Sequence, residues 1–213
     1  MTAAVLADPV ARDHLRNADP VLARLIDAHP DFRPRAWIDK LPRRDAFGTL
    51  LFQIVGQQLS VRSTRAILGR LEQNFDGHLP SPAELLAADP QVLRTSGLSA
   101  RKTATLRALA QRFVDGGLSE AAFAQMTDEE VEAALTEVSG VGPWTAHGFL
   151  IIALDRPDVL LPGDLALRHN VQRLYDLDHL PTEHEMEELT QRWQPYRSLA
   201  VSYLFASEYE EPR

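Results

Sequence analysis

The sequence predicts an all-α fold, from the spacing of its apolar residues and from its helix-start signals. Apolar residues recur three and four positions apart along Phe47–Val55 and Leu106–Val114, which is the period of a helix with one buried face. No stretch alternates apolar and polar residues over a convincing length. Ser81, Thr127 and Thr182 are each followed three residues later by Glu, the pattern of a capping box. Roughly ten helices fit between the Gly and Pro breaks.

Composition excludes several functional classes. The 213 residues include no cysteine, which removes disulfides, thiol catalysis, zinc fingers and iron–sulfur clusters. The seven histidines form no metal-ligand pattern, so no metal bound by side chains is expected. The longest apolar stretch, Phe149–Leu154, is too short to cross a membrane. The start of the chain lacks a secretory pattern, so we expect a protein that is not secreted and is cytoplasmic (in the nucleoid) or nuclear.

Charge is unevenly distributed along the chain. The formal net charge is −8, yet residues 46–71 and 90–114 contain no acidic residue and several arginines. An acidic total disfavours nucleic acid as a partner, whereas basic segments free of acids favour it. Solvated helix faces would give the same pattern, so charge leaves both interpretations open.

A glycine-rich turn between two predicted helices is the first candidate for a functional site. An acidic amphipathic helix ends near Val138, the turn Ser139–Pro143 contains Gly140 and Gly142, and a second helix starts near Trp144. Glycine lets the main chain approach another surface closely, and a helix N-terminus attracts anions. This hairpin is therefore suited to hold a phosphate, directly or through a cation. A plain turn between helices is the alternative.

Asp164 is the second candidate. It follows the apolar run Val159–Leu161 and the pair Pro162–Gly163, and a helix is predicted directly after it. A carboxylate at a helix N-terminus is kept ionised by the dipole and the N–H groups there. An ordinary N-cap is the structural alternative, since Asp is common at that position.

Taken together, the hairpin and this loop resemble the helix-hairpin-helix DNA glycosylases. Three further segments resemble the 3-methyladenine glycosylase II branch of that family: Ile54–Ser60, Ser96–Lys102 and Trp193–Ala200. The resemblance covers most of the chain, from about Phe47 to Phe205. Four matches in the same order make it much more specific than any single motif.

The resemblance implies a role for each matching residue. The implied roles are Asp164 as the catalytic carboxylate; Gly140, Val141, Gly142 and Thr145 as the hairpin on the DNA backbone; Trp144, Phe205, Tyr203 and His147 in the base pocket; and Gln58 and Leu59 as the wedge. The two segments without acidic residues add Arg62, Arg101 and Lys102 as candidate DNA contacts. Structural alternatives stay open for three of them. Gln58 is also readable as an exposed helix end, Trp144 as a core residue, and His147 as a core histidine. The apolar stripe of the preceding helix predicts an apolar residue at 58, which makes a Gln there unusual.

Two departures from the family pattern are informative. Lyases of this family carry Lys two residues after the second hairpin Gly, where this chain has Trp144, so no Schiff base is expected. Gly148 replaces an aromatic residue of some relatives, which predicts a wider base pocket or stacking by other rings.

The resemblance implies two helical lobes, 46–154 and 1–45 with 155–213, with Asp164 facing a cleft between them and without the N-terminal β-domain of longer relatives. The function expected is a monofunctional glycosylase that excises alkylated purines from double-stranded DNA in base excision repair. A monomer without a cofactor is expected, and a structural K⁺ or Na⁺ ion on the hairpin backbone stays open. The alternatives are a non-catalytic DNA-binding module, a bifunctional lyase for oxidised purines, and a helical scaffold.

Overall fold

The computed structural model describes residues 9–33 and 45–206, and these residues fold into helices joined by turns. In chain order the helices are α1 (Pro9–Ala18), α2 (Pro20–Ala28), α3 (Ala46–Gly56), α4 (Val61–Asn74), α5 (Pro82–Ala87), α6 (Pro90–Thr95), α7 (Ala100–Val114), α8 (Glu120–Phe123), α9 (Asp128–Thr136), α10 (Pro143–Ile152), α11 (Leu165–Leu174), α12 (Glu183–Thr190), a 3-10 turn (Gln191–Trp193) and α13 (Arg197–Ala206). No β-strand occurs in these two ranges. The all-α prediction is confirmed.

The chain divides into two compact units. The central unit comprises Arg43–Leu154 and holds α3 to α10. The terminal unit joins Met1–Pro42 to Asp155–Arg213 and holds α1, α2 and α11 to α13. Within the part of the chain that the structure describes, none of the helices has the length and apolar content needed to cross a bilayer.

Local sequence determines where many of the helices begin. Ser81, Thr127 and Thr182 each form the predicted capping box, in which the hydroxyl accepts from the backbone N–H three residues on and the Glu there accepts from the N–H of the cap. Within the described residues more helices form than the roughly ten predicted, because α6 and α8, with six and four residues, are too short to show a clear apolar period.

The core of the central unit contains a line of phenylalanine rings. The ring of Phe47 lies 5.4 Å from that of Phe113, Phe113 lies 6.2 Å from Phe123, and Phe123 lies 4.9 Å from Phe149. These edge-on and tilted contacts add to the stabilisation from burying the rings. They join α3, α7, α8 and α10, so the helix that follows the glycine hairpin is anchored in the core.

The core of the terminal unit is organised around one buried carboxylate. Asp19 is fully buried and caps α2, with its Oδ1 accepting from the backbone N–H of Val21 at 2.8 Å and of Leu22 at 3.3 Å. Its Oδ2 accepts from the Tyr175 hydroxyl at 2.7 Å and the Trp193 indole N–H at 2.9 Å. Burial and the charge of Asp19 raise the pKa of Tyr175 well above its usual value. One carboxylate therefore joins the start of α2, the end of α11 and the 3-10 turn.

Candidate functional site

The two hairpin glycines are required for different reasons. Gly140 has a φ of +92°, and a Cβ there would overlap the hydroxyl of Thr105 on α7. Both its backbone conformation and its neighbour therefore exclude a side chain. Gly142 has a φ of −109° and a ψ of 175°, which any residue adopts, and a Cβ there would meet nothing within 4 Å. The fold therefore does not require glycine at position 142. The open space there suits the close approach of another molecule to the backbone.

Gly142 lies at the N-terminus of α10, which has no side-chain cap. By contrast, Thr127 caps α9 and Asp164 caps α11. A helix N-terminus carries partial positive charge, and without a side chain at 142 an anion has direct access to it. The position is suited to a phosphate of a nucleic-acid backbone, which such a site holds without reading sequence.

The hairpin is held by hydrogen bonds from two side chains of the central unit that had no predicted role. The Gln57 Nε2 donates to the carbonyl of Gly140 at 3.3 Å and to the hydroxyl of Thr145 at 3.1 Å. The Thr105 hydroxyl donates to the carbonyl of Ser139 at 2.9 Å. Thr145 is only 2% exposed, so its side chain supports the hairpin from within, and a role of this residue at the DNA backbone stays a prediction.

The hairpin backbone is also the predicted place for a K⁺ or Na⁺ ion. The carbonyls of Val138, Ser139 and Gly140 accept hydrogen bonds from Val141 N–H, Thr105 and Gln57, respectively. A cation bound to any of these three oxygens would share it with that donor, and binding of a cation at the hairpin stays a prediction. In residues 9–33 and 45–206, no group of three or more His, Asp or Glu side chains is placed to hold a metal.

Lys102, predicted as a DNA contact, makes internal hydrogen bonds that favour a structural role, and its contact with DNA stays a prediction. Its Nζ donates to the carbonyls of Val55 at 2.7 Å and Gln57 at 2.8 Å, so it neutralises the C-terminal end of α3. Burial lowers the pKa of this amine. Arg62 and Arg101, predicted as DNA contacts as well, are exposed.

The predicted wedge lies in the turn after α3. Helix α3 ends at Gly56, Gln58 is exposed with a φ of +58°, and Leu59 is 41% exposed. Since residue 58 lies outside the helix, the apolar stripe of α3 does not extend to it, and that part of the sequence argument was wrong. The exposure of both side chains is compatible with the wedge role, which stays a prediction.

Two of the predicted pocket residues lie on α10. Trp144 is 46% exposed beside Gly142, which is not the position of a core residue. The His147 Nε2 lies 3.0 Å from the Glu132 carboxylate and links α10 to α9. The alternative interpretation of His147, a histidine satisfied inside the fold, is therefore the one that its contacts favour over a base-pocket role.

Gly148 was predicted to widen the base pocket or to leave stacking to other rings, and its contacts do not favour the wider pocket. The amide of Gln53 on α3 would come within 2.5 Å of a Cβ at 148, so this side chain occupies the space. With its amide oriented to complement its neighbours, Gln53 donates to the carbonyl of Thr145 and accepts from the N–H of Phe149, both at 3.1 Å. The amide thus bonds to two backbone groups, at positions i and i+4, that ordinarily bond to each other in a helix.

Asp164 caps α11 in the terminal unit, as its place in the sequence predicts. Its Oδ1 accepts from the backbone N–H of Leu167 at 2.8 Å, and its carbonyl accepts from the N–H of Arg168 at 3.0 Å. The carboxylate is partly exposed. Its orientation is therefore fixed by the helix, while the residue stays partly accessible to solvent.

The loop before Asp164 is fastened to the start of α13. Arg197 makes a two-pronged ion pair with Asp158, with Nε to Oδ1 at 2.8 Å and Nη2 to Oδ2 at 2.9 Å. The Ser198 hydroxyl donates to the carbonyl of Arg156 at 2.7 Å and accepts from the N–H of Val159 at 3.0 Å. The Arg-Ser pair of the C-terminal motif therefore holds the loop that leads to Asp164.

The other two predicted pocket residues lie on α13. Tyr203 is fully buried, with its ring centroid 4.7 Å from that of Phe32, and burial raises the pKa of its phenol. A buried ring offers no free face to a base, so Tyr203 is corrected to a core residue. Phe205 is partly exposed, and its pocket role stays a prediction.

Comparison with known proteins identifies the family. Residues 52–195 match the family described as HhH-GPD superfamily base excision DNA repair protein. The chain belongs to this superfamily. That range contains α4 to α12 together with the glycine hairpin and Asp164.

Relatives within the superfamily resemble nearly the whole chain. DNA-3-methyladenine glycosylase 1 of Schizosaccharomyces pombe is 28% identical over 208 residues, which cover 95% of this chain and 90% of the relative. The structure of 3-methyladenine DNA glycosylase from S. pombe in complex with abasic DNA superposes with a TM-score of 0.84 at 27% identity, over 94% of this chain and 97% of that one. A DNA-3-methyladenine glycosidase from Bacillus halodurans gives a TM-score of 0.72 at 30% identity over 89% of both chains.

The side chains that sequence reasoning missed in this superfamily member all act through long-range contacts. Gln53 on α3 and Gln57 at its C-cap reach α10 and the hairpin, and Arg197 reaches a loop 39 residues earlier in the chain. One signal in the sequence could have found the two glutamines. Two glutamines four residues apart on a strongly apolar helix share one face, which is typical of polar groups with buried partners.

Proposed function

We propose that this protein is a monofunctional DNA glycosylase that hydrolyses the N-glycosidic bond of alkylated purines, of the 3-methyladenine and 7-methylguanine type, in double-stranded DNA. The likeness to a 3-methyladenine glycosylase in complex with abasic DNA, over 94% of this chain, carries the proposal. The product would be a free base and an abasic site, which is the entry to base excision repair. One hairpin and one carboxylate per chain suffice for one lesion, so the proposal includes a monomer.

The hairpin supplies the grip on DNA in this proposal. The uncapped N-terminus of α10 and the empty space at Gly142 favour contact with a backbone phosphate. The exposed Arg62 and Arg101 add positive charge in segments that have no acidic residues. These features explain how a chain with a net charge of −8 can bind a polyanion.

Asp164 supplies the chemistry. As the bond between the base and C1′ of the sugar breaks, the base leaves with the electron pair and positive charge develops on the sugar ring. An ionised carboxylate beside the ring stabilises that charge, and water then adds to C1′ and loses a proton to the carboxylate or to solvent. The hydrogen bond from Leu167 N–H fixes the orientation of Asp164 before the reaction. A single preorganised group of this kind contributes about 3 kcal/mol to lowering the barrier.

Trp144 supports both the reaction type and the substrate class. No amine stands at this position, so the sugar is attacked by water and the DNA strand is not cut by a Schiff-base route. A purine alkylated at N3 or N7 is cationic and already a good leaving group, so no strong general acid is needed. A cation stacks favourably on an indole, by about 0.5–2 kcal/mol, and the indole of Trp144 is 46% exposed.

The test is release of free base from a panel of duplexes that each carry one alkylated, deaminated or oxidised base, with the undamaged duplex as control. The proposal expects release of alkylated purines and intact strands until alkali is added. Binding to abasic DNA without release of any base would leave only the DNA-binding module. A covalent adduct trapped by borohydride would instead establish a lyase.

A further inference from the structure

Gln57 joins the two elements of the central unit to which DNA roles are proposed. Its side chain bonds the hairpin at Gly140 and Thr145, and the next two residues, Gln58 and Leu59, form the candidate wedge. A single residue thus connects the part that would grip a phosphate with the part that would enter the base stack. The amide also gives the buried hydroxyl of Thr145 a hydrogen-bond partner.

Lys102 holds the same turn from another side. Its ammonium donates to the carbonyls of Val55 and Gln57, which are among the last carbonyls at the end of α3. One turn further along α7, the Thr105 hydroxyl donates to Ser139 of the hairpin. Helix α7 therefore contacts both the turn and the hairpin, and these hydrogen bonds link the three elements into one framework.

The end of a helix usually frays, because its last carbonyls have no partners within the helix. Here α3 ends at Gly56, and its C-cap Gln57 is followed by Gln58 in a left-handed conformation and by the exposed Leu59. The bonds of Lys102 to the Gln57 main chain and of the Gln57 side chain to the hairpin oppose fraying at this point. They fix the distance between the hairpin and the two exposed side chains.

We propose that Gln57 and Lys102 are positioning residues for base extrusion, which hold the wedge at residues 58 and 59 in register with the phosphate-binding hairpin. This inference rests on the proposed function. A wedge fills the gap of an extruded base only if it enters the stack at a set distance from the phosphate that the hairpin holds. Misplacement by about 1 Å is enough to slow an enzymatic step roughly 100-fold.

The test compares Gln57→Met and Lys102→Met, which keep side-chain length but lose the donors, with Lys102→Arg, which keeps donors at 102. Single-turnover excision at saturating enzyme is measured for one lesion opposite its normal partner and opposite a mismatched base. We expect both Met variants to excise the paired lesion about 10- to 100-fold more slowly and to recover most of this loss at the mismatch, because a mismatched base is easier to extrude. Lys102→Arg should recover part of the rate.

A second measurement separates positioning from direct DNA contact. The affinity for abasic DNA is followed as a function of salt, with Arg101→Gln as the matched control on the neighbouring, exposed residue. Loss of one phosphate contact lowers the slope of log K against log salt by about 0.9. We expect this change for Arg101→Gln and an unchanged slope for Lys102→Met. A slope that falls equally in both would make Lys102 a DNA contact and overturn its positioning role.

Equal losses at paired and mismatched lesions would reduce the two residues to a general structural role and overturn the inference. If the wild-type protein excises no lesion at all, the proposed function fails, and extrusion is then followed by fluorescence of 2-aminopurine in the duplex. A rise in fluorescence when the wild-type protein binds, absent with Gln57→Met, would still support the positioning role. An unchanged signal in the variant, or no rise with the wild-type protein, would refute it.

Discussion

Replacing Gly142 with alanine is expected to weaken DNA binding without weakening the fold, whereas Gly140→Ala is expected to weaken the fold itself. The contrast follows from the backbone at each position. The φ of Gly142 suits alanine and its Cβ would point into open space, but Gly140 has a positive φ and lies against Thr105. Gly142→Ala therefore tests DNA binding, and Gly140→Ala tests the stability of the fold.

The magnitudes follow from these geometries. At 142, alanine is a poorer N-cap than glycine by about 0.5–1 kcal/mol, and this is offset by about 0.4–1 kcal/mol from the stiffer unfolded chain, so the net change is within about 0.5 kcal/mol. At 140, the left-handed backbone costs about 1–2 kcal/mol and the overlap with Thr105 about 1–3 kcal/mol more. A methyl group between Gly142 and a phosphate is expected to weaken DNA binding about tenfold, which is about 1.4 kcal/mol.

Urea unfolding measures the stability of both variants, and fluorescence anisotropy with a labelled abasic duplex at fixed salt measures their affinity for DNA. Wild-type affinity in Gly142→Ala would refute the inference that DNA approaches the backbone there. Wild-type stability in Gly140→Ala would refute the steric argument.

Three further predictions concern the supports of the site. Arg197→Met should lower the free energy of unfolding by about 2–4 kcal/mol, because it leaves the half-buried Asp158 carboxylate without its main partner; a loss below about 0.5 kcal/mol in urea unfolding would show an ordinary surface pair. The pKa of Tyr175 is raised by burial, so the folded protein keeps the phenol proton at a pH where the unfolded chain loses it. Below about pH 10 this has no effect on the free energy of unfolding, which then falls by about 1.4 kcal/mol for each pH unit above it. Tyr175→Phe should therefore flatten the alkaline fall of the unfolding free energy, and an equally steep fall would contradict the assignment. Gly148→Ala should cost about 1–2 kcal/mol by displacing the amide of Gln53, and a thermal midpoint equal to that of the wild type would argue against this contact.

The helices were predictable from sequence because their signals are local. A capping box such as that at Thr127 needs residues within one turn, and the apolar period along Phe47–Val55 reports one buried face whatever covers it. Asp164 was placed correctly at a helix start for the same reason. The short helix α8 was missed because four residues cannot show a period.

The site was only partly predictable, because side-chain partners depend on packing between distant segments. Lys102 was assigned to DNA because it stands in a basic segment, yet two carbonyls 45 and 47 residues earlier accept its hydrogen bonds. Tyr203 was assigned to the base pocket, although its ring is enclosed in the core. Gln57 received no role, and the groups that its side chain contacts lie 83 and 88 residues later in the chain.

Asp164→Asn tests the central claim most directly, because asparagine caps a helix about as well as aspartate and so preserves the bond to Leu167 N–H. The measurement is single-turnover release of an alkylated purine, with urea unfolding and binding to abasic DNA followed on the same variant. The account predicts stability within about 0.5 kcal/mol of wild type, DNA binding retained, and release slowed about 100- to 1000-fold. Release at the wild-type rate from this stable variant would show that Asp164 only caps its helix and that another group performs the chemistry.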